Sequence, residues 1–550
     1  MFYIKFLVLF LGTVGMIISL ATISGNNNNY NKAFGAYIDG TPGNDNQVGT
    51  NDPDTIIGRG GNDIQYGLGG NDGFGTNPIG GQPYGLYGDQ VDVGGSTILT
   101  GGADTQYGGD GSDEIYGDAR NVLGSPTVTG GADTQYGDAG DDFLSGDANV
   151  VRGSATVTGG ADTQSGGDGN DQLLGDSASV FDTATVNGGA DTQYGDAGDD
   201  VLSGDALFVW AGSPTVTGGA DTQSGGDGND QLLGDAVHVF DTATVNGGAD
   251  TQYGGDGNDQ LTGDTGGASD TATVNGGADT QYGDAGDDFL IGDTGGASGS
   301  ATVTGGADIQ YGGDGGDQLV GDVAQILQTA TATVTGGADT QYGGDGVDRL
   351  WGDLAQVGGS TTVTGGADLQ YGDANNDQLF GDTQFIFDTA TVNGGDDTQS
   401  GGAGNDLIYG DSREVSALAT LIGGDDILNG DAGDDTLYGD ARVLSATSIG
   451  GNDIIRGGSG TNIMYGDAQV MNGAQGGDDQ LIGAVGGGGD TMTGNTGADQ
   501  FICGKGGTVT DYNAAEGDKL AGKCTTLVNA LQSSIQTTTE IIDNKKKGNK

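Results

Sequence analysis

The sequence predicts an all-β chain, a parallel β-solenoid built from units of about 29 residues. Three observations predict it. A GG[AND]D step begins at Gly101, Gly130, Gly159, Gly188, Gly218, Gly247, Gly276, Gly305, Gly336, Gly365, Gly394, Gly423, Gly450 and Gly476, at intervals of 26 to 31 residues that are mostly 29. A nine-residue pattern, G-G-x-G-x-D-x-U-x with U apolar, recurs inside each interval, as in GDAGDDFLS at 137–145 and GGDGNDQLL at 166–174. Little hydrophobic mass lies between the glycines and aspartates, and a fixed period over most of the chain means a solenoid rather than a globular core.

Each part of the unit has a physical reason. The first six residues of the nine turn the chain, because glycine admits left-handed angles and lets carbonyl groups point inward. The last three make a very short strand whose middle side chain faces the interior. The step GGADTQY fills the last seven positions of the same nine. The unit therefore reads as two nonapeptides plus an insertion of about eleven residues, such as ANVVRGSATVT at 148–158. Two turns and two strands make one coil with a short sheet on each side, and about fourteen coils stacked at roughly 4.8 Å would span roughly 65–70 Å. Insertions often end in TVT, TATVT or TATVN, an alternation that predicts a strand and hence a third ladder along one edge. Residues 159–194 and 218–253 are nearly identical, as a tandem duplication would leave them.

The ends differ from the middle. Met1–Ile23 places one lysine ahead of an apolar run of signal-peptide or short membrane-helix length, followed by polar GNNNNYNK. The expected organisation is a signal peptide or N-terminal membrane anchor at 1–25, a polar linker at 26–39, N-terminal turns at 40–100, the solenoid at 101–496, a C-terminal cap at 497–525 and a polar, basic tail at 526–550.

Composition narrows the chemistry. The 550 residues carry 78 acidic and 16 basic side chains, a net charge of −62, with 120 glycines and 6 prolines. Such acidity repels nucleic acid and anionic membrane and favours cations. One histidine, His238, cannot build a histidine-rich zinc site, no HExxH motif exists, and a Ser/His/Asp triad would depend on His238 alone, in the variable stretch AVHVF. Two cysteines, Cys503 and Cys524, fit a disulfide in an oxidising compartment.

The nonapeptides GDAGDDFLS, GGDGNDQLL, GGDGNDQLT (254–262), GRGGNDIQY (58–66) and GNTGADQFI (494–502) resemble the RTX, or haemolysin-type, calcium-binding repeat over roughly 40–502. The resemblance implies a parallel β-roll that binds many Ca²⁺ ions per chain, with the aspartate at position six as carboxylate ligand and turn carbonyls completing the shell. It implies as ligands of the regular turns Asp63, Asp113, Asp142, Asp171, Asp200, Asp230, Asp259, Asp288, Asp317, Asp348, Asp377, Asp406 and Asp435. For the GGAD-type turns it implies Asp104, Asp133, Asp162, Asp191, Asp221, Asp250, Asp279, Asp308, Asp339, Asp368, Asp397, Asp426, Asp453 and Asp479. Oxygen ligands without imidazole suit calcium over transition metals. GADQFICGKGGTVTDYNAAEGDKL at 497–520 resembles the serralysin-like segment that closes such rolls.

Three features depart from the family pattern. Gln135, Gln164, Gln193, Gln223 and Gln252 stand where the family usually has leucine, either as a hydrogen-bonded ladder or as a sign that this sheet faces the other way. Asn375 replaces a turn glycine and Asn462 a ligand aspartate. The insertions precede the GGAD turns, so sites on that edge are altered or absent. Outward Tyr136, Tyr194, Tyr253, Tyr282, Tyr311, Tyr342 and Tyr371 form a row, read as cross-strand packing or as a platform for a glycan or a neighbouring protein.

The functional expectation is a secreted or cell-surface protein, not an enzyme, whose folding is driven by calcium and which acts as a structural or adhesive rod. About thirty Ca²⁺ would nearly cancel the net charge, and binding free energy would then be folding free energy. The expected partners are calcium ions and cell-surface glycans or neighbouring surface proteins, with no nucleic acid. The alternatives are an RTX-type toxin or hydrolase-associated protein, disfavoured by the short segments that flank the repeats, and an ice- or glycan-binding face of threonine and tyrosine rows, which Ser165, Ser224, Ser400, Ile309 and Leu369 interrupt.

Overall fold

The computed structural model describes residues 36–72, 85–326, 330–484 and 489–526. The expected leader at 1–25, most of the linker and nearly all of the tail lie outside the described residues. Those described form strands and turns only, and no helix among them is long and apolar enough to cross a membrane.

One coil shows the design. Thr134–Ala139 is a strand, the glycine-aspartate turn follows, and Phe143–Ser145 returns as the second strand. Gly146 and Asp147 turn the chain into the insertion, which makes two further strands, Ala148–Gly153 and Thr156–Thr158. Every strand pairs in parallel with its equivalent one unit on. Gln135 lies opposite Gln164, Leu144 opposite Leu173, Val151 opposite Val180, and Val157 opposite Val186. The chain is a parallel β-roll, as its repeats predict. The insertion departs from expectation: it adds two ladders rather than one. The first thins to single bridges through Thr265 and Thr294, where the insertions read TGGAS and glycine weakens strand pairing.

Two cores result. Ile115, Leu144, Leu173 and Leu202 stack in one column, fully buried. A second core fills the insertion layer, where Ala148, Val151, Ala155 and Val157 of one coil pack on Val180, Ala184 and Val186 of the next. One apolar residue per nonapeptide therefore undercounts the buried hydrophobic mass. At about 25 cal/mol per Å² of apolar surface, the insertion core adds to stability in every coil that has one.

The glutamines face inward, and the ladder reading holds. Gln164 Nε2 donates to Gln135 Oε1 at 2.8 Å and to the Leu174 carbonyl across the core at 2.9 Å. Gln193 repeats this toward Gln164 and the Ser203 carbonyl. A buried amide is tolerated because both of its N–H groups and its oxygen are used. These bonds tie the two strand layers together across the core.

The tyrosines stack on one another. Ring centroids of Tyr66, Tyr107 and Tyr136 are 4.9 Å apart, and the run from Tyr253 to Tyr371 repeats the arrangement at 4.9 to 5.0 Å. A second aromatic column, Trp351, Phe380, Tyr409 and Tyr438, is buried beside Ala324 of the first insertion strand.

Both ends of the roll lack insertions. Tyr37 pairs with Thr55 and Asn46 with Ile64, a coil of two bare nonapeptides. At the other end Gln500–Cys503 pairs with Gln480–Ile482 on one side and Lys519–Gly522 on the other, so the ladder runs on through this segment. Cys503 and Cys524 form a disulfide across the last of these pairings.

Candidate metal sites

The turns carry columns of buried aspartates. On the regular edge, the Asp113 amide donates to Asp142 Oδ1 at 2.7 Å, the Asp142 amide to Asp171 Oδ1 at 2.7 Å, and so on up the roll. On the insertion edge the same chain of bonds runs through Asp104, Asp133, Asp162 and Asp191. Each carboxylate thus spends one oxygen on the neighbouring coil. Its other oxygen has no partner: Oδ2 of every position-six aspartate named above, in both sets, is buried and without a hydrogen bond.

A buried carboxylate oxygen without a partner is costly, and repetition in every turn multiplies the cost. Burial pushes Asp142 up to about 8 and Asp200 to about 7, and raises Asp133 and Asp162 well above the usual carboxylate range. Carbonyl oxygens lie beside these orphans. A side chain on Gly137 would meet both Asp142 Oδ2 and, at 2.5 Å, the Gly166 carbonyl. Carboxylate and carbonyl oxygens gathered at one point repel each other unless something positive sits between them. The set fits a hard cation that accepts irregular oxygen ligation, which is calcium chemistry. No three His, Cys, Asp or Glu side chains converge among the described residues, so backbone oxygens must complete each shell.

Asn462 supports this reading from the opposite direction. It occupies the regular column, accepting from the Asp435 amide at 2.9 Å, yet its Nδ2 donates to the Gly457 carbonyl at 2.8 Å. The amide supplies internally the positive partner that a carboxylate cannot. Asn375 stands at a left-handed position, φ 83°, which asparagine tolerates, and neighbouring Asp377 keeps its bond from Asp348 and its orphan oxygen.

One placement is corrected. Asp63, expected with the regular turns, donates its amide to Asp104 Oδ1 at 2.6 Å and so belongs to the insertion-edge column. The regular column instead starts with Asp54 and Asp72, whose amide donates to Asp113 Oδ1. Asp72 went unrecognised because two bare coils precede the first insertion and both phases fit the nonapeptide. Asp499 extends the insertion-edge column by accepting from the Asp479 amide, and Asp490 extends the regular one by accepting from Asn462.

A third column also escaped the sequence reading. Asp118, Asp147, Asp176, Asp205, Asp235, Asp264, Asp293, Asp322, Asp353, Asp382, Asp411 and Asp440 follow the leucine strand in each coil and are fully buried. They occupy position two of the interrupted turn.

A parallel β-solenoid whose turns carry rows of half-satisfied carboxylates defines a calcium-binding β-roll. The family model of the RTX calcium-binding nonapeptide repeat matches residues 39–74, 99–119, 127–149, 156–179, 181–206, 215–236, 240–267, 264–296, 331–354, 387–412, 423–441 and 450–469, more than half of the chain. The chain belongs to this family. No curated protein matches it.

Proposed function

We propose that the chain is a non-enzymatic structural or adhesive rod that acts outside the cytosol and folds when it meets calcium. The orphaned Oδ2 atoms carry this reading. A chain with a net charge of −62 that buries an unpaired carboxylate oxygen in turn after turn is strongly disfavoured without bound cations. With them, the same oxygens become the ligands that order the turns, so binding free energy is folding free energy. Extracellular modules of this kind bind calcium at about 10⁻⁴–10⁻³ M, which keeps such a chain unfolded in a calcium-poor cytosol. The disulfide between Cys503 and Cys524 suits an oxidising compartment and a role for 497–525 as the closing cap.

The tyrosine row suits stiffening better than glycan capture. A sugar stacks on the face of an aromatic ring, and in the run from Tyr253 to Tyr371 those faces are covered by the neighbouring tyrosines at about 4.9 Å, which leaves Tyr194, between Ser165 and Ser224, as a lone ring rather than a platform. The test is far-UV circular dichroism of the full chain during a calcium titration, with EDTA reversal and magnesium as control. A cooperative rise in β signal with calcium alone supports the reading. A spectrum already β-rich in EDTA at neutral pH, unchanged by calcium, would overturn it.

A further inference from the structure

The first insertion strand carries an aromatic group unlike the tyrosine row. Phe181, Trp210 and Phe240 stand in three successive coils, each next in sequence to a fully buried valine, Val180, Val209 or Val239, so the rings point outward. Arg152 holds the same place one coil earlier, beside Val151. In the tyrosine row, the planes of Tyr282, Tyr311 and Tyr342 lie within 3° and 4° of parallel and cover one another. Here Phe181 and Trp210 are tilted by 41° with centroids 5.1 Å apart, and Trp210 and Phe240 by 55° at 6.4 Å. Tilted rings leave their faces open. Trp210 is 44% exposed, whereas the other tryptophan, Trp351, is 4% exposed. One coil beyond Phe240 the chain offers only Gly267 and Ser269, too small to cover the rings from that side.

A local irregularity presents Trp210. The interval from Gly188 to Gly218 is 30 residues, where those on either side, from Gly159 and from Gly218, are 29. The register slips after Phe181, so that Asp182 lies opposite Gly212, and the extra residue Ala211 takes φ 63°. Alanine rarely adopts that left-handed angle. Bulges of this kind re-aim side chains and gather beside functional sites.

Polar groups rim the rings. The exposed Arg152 guanidinium lies over the Phe181 ring at 4.2 Å and has no ion pair among the described residues. Asp182 and Asp241 are exposed, and each is held through Oδ2, by the Gly153 amide at 3.1 Å and the Ala211 amide at 3.1 Å. Their Oδ1 atoms are left to accept from a ligand.

We propose that this patch is a saccharide-binding site, in which Trp210 carries the apolar face of a neutral sugar ring, Arg152 donates to its oxygens, and Asp182 and Asp241 accept from its hydroxyls. The inference rests on the adhesive reading above and gives that adhesion a place and a ligand class. Area decides against a protein partner. Three part-covered rings offer on the order of 300 Å² of apolar surface, well short of the roughly 800 Å² each partner gives to a standard interface. Charge decides against an acidic ligand, because one guanidinium beside two carboxylates leaves the patch negative on a chain of net charge −62. A neutral polyol meets both signs, since each hydroxyl donates and accepts.

The test applies the full-length chain, in calcium chloride, to an array of neutral and acidic glycans, followed by isothermal titration calorimetry with the neutral oligosaccharide bound best. The wild type should prefer neutral glycans. Trp210→Ala should weaken binding by at least about tenfold, as loss of a central aromatic anchor does, and Arg152→Ala by several-fold. Tyr282→Ala should change nothing. Trp210 and Arg152 are exposed, so both variants should keep the wild-type circular dichroism. Full affinity in Trp210→Ala, or no neutral glycan bound by a chain that folds with calcium, would overturn the proposal and leave the rod reading standing. Self-association in sedimentation velocity that Trp210→Ala abolishes would overturn it in favour of a second copy as the partner. Binding through Trp210 by a chain equally folded in EDTA would support the site and sink calcium-driven folding.

Discussion

Asn462 Nδ2 donates a hydrogen bond to the Gly457 carbonyl oxygen at 2.8 Å, in the one described turn of the regular column where an amide replaces the carboxylate. The turn is closed by the chain's own atoms. Asn462→Asp should remove that donor and turn the pocket into a cation site. The variant is expected to bind one more calcium ion than the wild type by equilibrium dialysis. It should also make the C-terminal coils more sensitive to EDTA in hydrogen exchange. An unchanged ion count would mean that the orphan oxygens elsewhere do not mark sites.

The raised carboxyls predict how the ion-free chain responds to pH. Burial pushes Asp171 up to about 6, Asp200 to about 7 and Asp142 to about 8. A carboxyl whose folded value exceeds its unfolded value of about 3.9 contributes stability that is full below the unfolded value and is lost as pH rises through the folded one. In EDTA the β signal and the melting temperature should therefore rise as pH is lowered from about 8 toward about 5. Saturating calcium should remove most of that dependence. A higher melting temperature at pH 8 than at pH 5 in EDTA would contradict the buried columns.

The glutamine ladder predicts a ranking of two like substitutions. Gln193→Leu strands Gln164 Oε1 and one N–H of Gln223, each worth about 1–3 kcal/mol when buried without a partner, and leaves the Ser203 carbonyl with its bond from the Gly175 amide alone. Gln399 ends the ladder, because Leu428 stands opposite it and its own Oε1 is already orphaned. Gln399→Leu gives Leu428 an apolar neighbour and exchanges one orphan for another, removing Gln399 Oε1 and stranding Gln370 Oε1, with no further donor left unpaired. Thermal unfolding in calcium should show Gln193→Leu clearly more destabilising than Gln399→Leu. Equal losses would mean that the ladder bonds contribute little.

Reduction of the Cys503–Cys524 disulfide should act locally. It joins residues of adjacent coils at one end, and in a solenoid each coil contacts only its neighbours. Hydrogen exchange with reductant and calcium should rise over about the last two coils and stay unchanged around Leu232 and Leu261. Loosening throughout would show that the end governs the whole roll.

The position-six columns were legible because an acid at every ninth residue has no purpose in a plain turn. Their membership was not: Asp63 and Asp72 fit the motif equally, and only the amide of Asp63 on Asp104 Oδ1 assigns the edge. The inward glutamines were readable as a ladder once Gln135 and its equivalents were seen to share one phase. The position-two row stayed hidden because Gly146 and Asp147 read as the first half of a broken turn, like Gly137 and exposed Asp138. What separates them is the layer folded over Asp147, and that layer was read as one strand rather than two. The signal for two was present in Ala148, Val151, Ala155 and Val157, apolar on either side of Gly153, but such small residues are weak evidence until they are seen packed.

The near-identity of 159–194 and 218–253 gains a physical meaning from the register. Gly159 and Gly218 occupy equivalent places in their coils, and each coil touches only the two beside it. Excising 159–217 would join two surfaces that already match, with every ladder, carboxylate column and aromatic stack resuming in phase. Length in this molecule is thus a modular quantity, set by how many whole units the gene carries and adjustable by recombination between near-copies without redesign of any contact. A family of natural or engineered variants differing by whole units should fold alike and differ only in span, which makes the chain a molecular ruler graduated in coils.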